Sequence, residues 1–232
     1  MTDPDAGARR DFVRRMFDRI AGRYDLLNHL LSAGTDARWR RKAVHLLDPQ
    51  PGWHILDLAT GTGDFAFEAA SRGGIRVAGV DLSVPMLRVG CAKRKDRAVH
   101  LLCGDAEGLP FREGAFDGVT IGFGIRNVAR LDAGLREMGR VLRPGGRAVI
   151  LEFSKPRAPV LSHLYMFYFK NLLPRIGALI SGDRVAYTYL YESVMRFPEG
   201  QDFLAAMAQA GFRNPRQHRL TFGIATVYVG EK

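Results

Sequence analysis

The sequence predicts an α/β fold built on a seven-stranded, mostly parallel sheet with one antiparallel strand. Three observations predict it. Short apolar runs alternate with helical stretches between residues 53 and 153, at the rhythm of parallel βαβ units. One of those runs ends in the glycine turn Thr60-Gly61-Thr62-Gly63 and passes directly into a helix. The chain closes on a hairpin-like pair, 212–220 and 225–229, turned near Thr221-Phe222-Gly223. The 232 residues read as one domain. It comprises a helical cover (1–52), a ligand-binding core (53–154), an insertion (155–199) and a C-terminal helix with strands (200–232).

Residues 1–8 are polar and read as disordered. From 9 to 23, Phe12, Met16 and Ile20 recur every four residues with Val13 and Phe17 beside them, one face of a helix. Its other face carries Arg9, Arg10, Arg14, Arg15 and Arg19. A second helix (24–31) stops at Ser32-Ala33-Gly34, and a third (36–47) contains Trp39-Arg40-Arg41-Lys42. Asp48-Pro49-Gln50-Pro51-Gly52 then breaks the chain. Ile55, Leu56 and Leu58 form the first strand, with Asp57 near its end, and Asp64 is expected to cap the helix 65–70. Strands follow at 75–81, 99–103, 116–123 and 147–153, with helices at 84–95 and 131–142 between them. The second of these helices stops at Arg143-Pro144-Gly145-Gly146. The segment 155–198 holds five of the seven tyrosines and is broken by Pro156, Pro159 and Pro174. It is too long for a plain connection and too apolar for a linker. With Tyr165, Phe167, Tyr168, Phe169, Tyr187, Tyr189, Tyr191 and Phe197 it reads as a lid with an aromatic lining for a large apolar substrate. A helix at 201–210, stopped by Gly211, leads into the last two strands.

Composition sets outer bounds. No run of about 18 apolar residues exists to span a membrane, and the N-terminus has no apolar stretch of signal-peptide type. Cys91 and Cys103 make neither a CxxC motif nor a disulfide framework, so they read as reduced, buried thiols of a cytosolic protein. The six histidines show no metal-ligand spacing, and no metal is expected. The net charge of +10 favours an anionic partner without choosing among nucleic acid, an acidic lipid surface and an acidic substrate.

The glycine turn is the chemical centre of the chain. Gly61 and Gly63 let a ligand approach bare backbone at a helix N-terminus. The pattern Gly61-x-Gly63-x-x-Ala66 is open to a dinucleotide or to S-adenosylmethionine. Asp57 favours the methyl donor, because a carboxylate at that strand end suits a cationic ligand with an amino group. Asp81 lies 18 residues past Gly63, near the offset at which an acid takes ribose hydroxyls, and its alternative role is a helix cap. Asp105 ends the third strand, which in a methyltransferase plan lies over the adenine, where an acid can accept the exocyclic amine.

Three strings then carry a resemblance. Met16-Phe17-Asp18-Arg19-Ile20-Ala21 with Arg23-Tyr24-Asp25-Leu26-Leu27-Asn28, Gly122-Phe123-Gly124-Ile125-Arg126-Asn127-Val128, and Glu152-Phe153-Ser154-Lys155-Pro156 resemble signatures of the quinone-biosynthesis C-methyltransferases. These are the demethylmenaquinone methyltransferases and the polyprenyl methoxybenzoquinol methylases. The likeness runs from about Phe12 to Gly230. It implies a Rossmann-like class I methyltransferase in which Thr62, Asp81, Asp105, Ala106 and Gly122 contact S-adenosylmethionine. Many relatives have serine where this chain has Gly122, and asparagine where it has Asp105.

The implied reaction moves a methyl from a sulfonium to a ring carbon of a prenylated quinol. The acceptor is most simply demethylmenaquinol; the alternative is a methoxy-polyprenyl benzoquinol. Arg126, just past the fourth strand, is the candidate catalytic residue, able to hold a ring oxyanion or order a water. An arginine tying loop to sheet is its alternative reading. Tyr24, Asp25, Asn28 and His29 are further candidates. A nucleic-acid methyltransferase is disfavoured, because the loop after the fourth strand lacks an Asn/Asp-Pro-Pro-aromatic pattern. A nicotinamide oxidoreductase and a non-catalytic lipid-surface scaffold are the other readings. Aromatic density beside a basic helix predicts peripheral binding to an anionic membrane, at its inner face. The sequence sets no oligomeric state.

Overall fold

The computed structural model describes residues 5–32, 34–94, 98–156, 165, 167–168 and 184–232. Runs such as Ile55-Leu56, Val119 to Ile121 and Ala148 to Leu151 are fully buried, as strands covered on both faces must be. They belong to β1 (His54–Leu58), β4 (Phe116–Gly122) and β5 (Leu142–Phe153). β2 (Arg76–Asp81), β3 (Val99–Cys103), β6 (Arg213–Leu220) and β7 (Ala225–Glu231) complete a sheet of order β3-β2-β1-β4-β5-β7-β6. β1 pairs in parallel with β2 and β4, β2 with β3, and β4 with β5. β7 runs antiparallel between β5 and β6 and is the one antiparallel strand expected. Chain order reverses where β1 lies between β2 and β4, which opens a crevice at the carboxyl ends of the strands.

Helices cover both faces. α1 (Ala6–Ile20), α2 (Tyr24–Leu31) and α3 (Thr35–Leu47) precede the sheet. α4 (Asp64–Ala70), α5 (Val84–Lys93), α6 (Leu131–Val141), α7 (Arg184–Arg196) and α8 (Gln201–Gln209) follow. α6 buries Leu135, Met138 and Val141, and α8 buries Phe203 and Met207, on one face of the sheet. α3 and α4 bury Trp39, Val44, Leu47 and Phe65 on the other. Each such side chain contributes about 1.5–3 kcal/mol by leaving water. α1 packs through Met16 and Ile20 on Met86 of α5 and on Ala186 and Val194 of α7, so the cover lies over the crevice.

Several expectations need correction. α1 starts at Ala6, so residues 6–8 are helical; residues 1–4 lie outside the described ones. The N-cap of α4 is Gly63, at φ 86°, and Asp64 is the first helical residue. Its carboxylate turns instead to the Lys93 ammonium, 2.5 Å away, a stronger partner than a backbone amide. Asp81 does not cap α5, because Ser83 does, accepting from the Met86 amide. α5 ends at Lys93, and residues 95–97 fall outside the described residues. Cys91 on α5 and Cys103 at the end of β3 are exposed, not buried. β5 begins at Leu142 rather than 147, because the register slips between the Phe116–Leu142 and Gly118–Arg147 pairs. In the insertion, residues 157–164, 166 and 169–183, with Pro159, Phe169 and Pro174, lie outside the described residues. Phe197 does not line a lid: it is buried in the sheet core against Phe203, with ring centroids 5.0 Å apart.

Candidate active site

Two cavities open at the carboxyl edge of the sheet. The first follows from the crevice beside β1. Ala59 and Gly61 leave β1, Val80 to Ser83 end β2, Gly104 to Glu107 end β3, and Gly122 to Gly124 end β4. Arg10, Val13, Arg14 and Phe17 of α1 roof it. The turn after β1 needs left-handed backbone at Ala59, Gly61 and Gly63, with φ of 46°, 56° and 86°. A Cβ at Gly63 would also lie 2.8 Å from the Phe67 ring, so glycine is required there twice over.

Five residues expected from the sequence to contact the methyl donor meet in this cavity: Gly61, Asp81, Asp105, Ala106 and Gly122. Asp81 accepts from the Gly61 and Ser83 amides, each at 2.8 Å, which fixes its carboxylate between the turn and β2. Burial pushes its pKa up, while those two amides pull against it. Asp105 accepts from the Glu107 amide with one oxygen and from Arg10 with the other, at 2.9 Å each. The remaining three lie outside the lining. Gly63 caps α4 from behind the turn. Thr62 is buried, and its hydroxyl donates to Asp25 at 2.5 Å and accepts from Lys93 at 3.0 Å. Asp57 is buried within β1, accepting from Thr60 and Thr120 at 2.6 and 2.7 Å. Burial raises its pKa to about 7, against the pull of the two hydroxyls. Such a group, neutral at mild acidity, braces the turn from below.

The second cavity lies between the cover and α7. Met16, Phe17, Ile20, Trp39, Phe153, Tyr165, Tyr168, Tyr189 and Leu190 give it an apolar, largely aromatic wall. Asn28, Ser32, Asp36, Arg40 and Arg126 add polar groups. Phe17, Tyr24 and Phe123 line both cavities and form their common wall. Phe123 reaches this place through left-handed backbone, φ 56°, rare for an aromatic residue and worth about 1–3 kcal/mol of strain. Burial pushes the Tyr24 phenol up, while a hydrogen bond with Asn28 and the guanidinium groups of Arg126 and Arg40 pull it down.

Arg126 lies in the second cavity, as the sequence led one to expect, but most of its donors are committed. Nη1 donates to Glu152 at 2.6 Å and to the Phe123 carbonyl, and Nε donates to Ser193 at 3.3 Å. Its guanidinium also stands 5.5 Å from the centre of the Phe153 ring. Burial pushes the Glu152 carboxyl up while Arg126 pulls it down. The loop-to-sheet tie and the cavity position are therefore both present.

Of the weaker candidates, Tyr24 and Asn28 line the second cavity, Asp25 faces Lys93 and Thr62, and His29 is a surface side chain. Local patterns did not reveal Lys93, whose ammonium meets Asp25, Asp64 and Thr62. They also missed Asn127, which lines the first cavity and whose buried Oδ1 has no hydrogen-bond partner among the described residues. Its place in the Gly122 to Val128 string was the one available signal. Part of the basic face of α1 turns inward: Arg9 donates to the Arg126 carbonyl at 3.1 Å, and Arg10 meets Asp105.

Comparison with known proteins gives a consistent result. A model of the ubiE/COQ5 methyltransferase family matches residues 5–232. The ubiquinone/menaquinone biosynthesis C-methyltransferase UbiE of Geotalea daltonii is 49% identical over 228 residues, covering 95% of this chain and 96% of that protein. The demethylmenaquinone methyltransferase of Thermus thermophilus is 50% identical over 220 residues, covering 94% of this chain and 100% of that protein. Among solved structures, a SAM-dependent methyltransferase of Thermotoga maritima superposes with a TM-score of 0.68 at 22% identity, over 94% of this chain and 99% of that one.

Proposed function

The chain belongs to the ubiE/COQ5 methyltransferase family, and on that premise we propose that it transfers a methyl group from S-adenosylmethionine to a ring carbon of a prenylated quinol, converting demethylmenaquinol to menaquinol. The observation that carries this reading is the common wall of Phe17, Tyr24 and Phe123 between a cavity of polar strand ends and an aromatic one. Cavities that share lining residues set a donor and a flat apolar acceptor side by side. The names of the relatives support the quinone pathway, and the Thermus relative's name supports the naphthoquinol.

The donor, when bound, supplies a methyl on a sulfonium. In our reading Asp81 holds the ribose hydroxyls and Asp105 with Ala106 the adenine, while Gly61 and Gly122 offer backbone at close range. Asp57, Thr62 and Gly63 support the turn from outside the cavity lining. The acceptor carbon becomes nucleophilic when an adjacent hydroxyl ionises, and a phenol with a pKa near 10 needs help to do so. Arg126 supplies positive charge in a largely apolar enclosure, where it acts strongly on a developing phenolate. Its Nη2 is the guanidinium nitrogen left uncommitted among the described residues.

A prenylated quinol resides in a membrane, and none of the described helices is long and apolar enough to cross one. We place the enzyme on the cytoplasmic surface of an anionic bilayer. Exposed Phe12, Phe167 and Val185, with Arg15 and Arg19 on the outward face of α1, support this.

The test is mass spectrometry of the quinones in a deletion strain. Accumulated demethylmenaquinone is expected. Accumulation of a methoxy-polyprenyl benzoquinol instead would move the acceptor to the other branch. Titration with S-adenosylhomocysteine and NAD in parallel separates a methyltransferase from an oxidoreductase.

A further inference from the structure

The acceptor cavity holds a second arginine whose donors are largely free. Arg40 projects from α3, beside Trp39, into the same aromatic space as Arg126. Its side chain is only 14% exposed. Its contacts pass through one nitrogen: Nη2 lies 2.7 Å from Asp36 and 3.4 Å from Asp64. Nε and Nη1 make no hydrogen bond within the described residues. Arg126, by contrast, commits both Nε and Nη1 to the protein.

The surroundings fix Arg40 without using it up. Asp36 is 5% exposed and accepts from Ser32 at 2.7 Å. Burial pushes the Asp36 carboxyl up, but the Ser32 hydroxyl and Arg40 outweigh it and hold it below its usual value. The carboxylate therefore stays ionised and anchors one corner of the guanidinium. α3 is itself fixed, since the Trp39 indole donates to Thr221 at 2.8 Å and its ring packs against the tilted pair Phe123 and Phe153. A planar cation held this way presents a fork of unused N–H groups to an aromatic space. Such groups look for an oxygen acceptor.

We propose that Arg40, anchored by Asp36, is a second acceptor-binding residue that donates to a ring oxygen of the quinol, while Arg126 serves the other ring oxygen. This rests on the quinol reading given above and deepens it. A quinol carries two ring oxygens on opposite sides of one flat ring, and the cavity carries two guanidinium groups, each backed by a buried carboxylate. Tyr24, Arg40 and Arg126 line one cavity, so the two arginines address one common space. The pairing selects for a dioxygenated ring over an apolar ring of equal shape.

The experiment compares wild type, Arg40→Lys, Arg40→Met and the double variant Arg40→Met/Asp36→Asn, which leaves no unpaired carboxylate. Tryptophan fluorescence reports binding of a short-chain prenyl naphthoquinone and of a prenyl naphthalene lacking ring oxygens. Calorimetry reports S-adenosylhomocysteine, and turnover uses the reduced quinone. The folded double variant should bind S-adenosylhomocysteine as wild type does, bind the naphthoquinone about tenfold or more weakly, and bind the naphthalene unchanged. Arg40→Lys should retain part of the naphthoquinone affinity. Equal naphthoquinone affinity in a folded variant, or an equal loss for both ligands, overturns the role of Arg40. A wild type that methylates no quinol overturns the underlying reading instead, and leaves a different signature: no turnover at any concentration of reduced quinone.

Discussion

Arg126 and Glu152 form a 2.6 Å ion pair whose carboxylate is wholly buried, so the candidate catalytic arginine also neutralises a charge inside the sheet edge. Arg126→Ala should therefore do two things. Turnover should fall by about a hundredfold or more with donor affinity nearly kept. The protein should also lose about 3–5 kcal/mol of stability, because Glu152 is left without its partner. Pairing Arg126→Ala with Glu152→Gln should restore the melting temperature but not kcat, and Arg126→Lys should restore kcat in part. If the alanine variant keeps near-full kcat, Arg126 is not at the chemistry.

Asp81 is pinned by the Gly61 and Ser83 amides with its carboxylate in the donor cavity. Asp81→Ala should weaken S-adenosylhomocysteine by about 1.5–3 kcal/mol, the worth of charge-assisted hydrogen bonds to a ribose. Calorimetry on the folded variant decides; unchanged affinity removes the ribose role.

Asp57 gives a pH signature. Its pKa in the folded chain is raised to about 7 from an ordinary value of 3.8. A raised carboxyl contributes stability that is full below the ordinary value and lost as pH climbs through the folded one. Between about pH 4 and 7, wild type should lose stability relative to Asp57→Asn, by at most on the order of 4 kcal/mol. Urea titrations of both proteins across that window check it, and parallel curves would place the Asp57 pKa near its ordinary value.

Gly122 ends β4 without a side chain, and the geometry shows what glycine permits there. A Cβ there would lie 2.7 Å from Cδ1 of the buried Phe65. Gly122→Ser should cost about 1–3 kcal/mol by overpacking, and Phe65→Leu in the same chain should recover part of it. Chemical denaturation of the two variants measures the difference.

Membrane binding should depend on the exposed patch of Phe12 and Val185. Phe12→Ser/Val185→Ser should lower recovery with anionic vesicles in flotation, read on the folded variant because the Phe12 ring also packs on Tyr189, with centroids 5.6 Å apart. Equal recovery of wild type from neutral and anionic vesicles would remove the electrostatic part of the idea.

The sheet was legible because its signals are local. Buried runs, a glycine turn and stop signals placed all seven strands, and β7 as the antiparallel one follows from the closing hairpin. The misreadings share a cause. Asp64 looks like a cap until Lys93, 29 residues away, competes for it. For Arg126 the tie to the sheet was one of two open readings, and its partner Glu152 lies 26 residues away. Arg40 reads as one basic residue among three, because nothing nearby tells that it alone turns into an aromatic cavity. Donor-site residues were legible as a motif, yet Asp57, Thr62 and Gly63 lie behind the turn, and only packing separates the two groups. Where two partners lie dozens of residues apart, the pattern around either one is silent about the other.

The two cavities differ in how they feel dissolved ions. Arg10 and Asp105, which bridge α1 to the floor of the donor cavity, are 48% and 24% exposed, whereas Arg126 and Glu152 are 6% and 0% exposed. The first pair, open to solvent, is weakened by salt, whereas the second, out of reach of mobile ions, is screened much less. Added salt should thus loosen the hold of α1 on the first cavity while the second keeps its charges paired, so ionic strength acts on one side of the crevice alone.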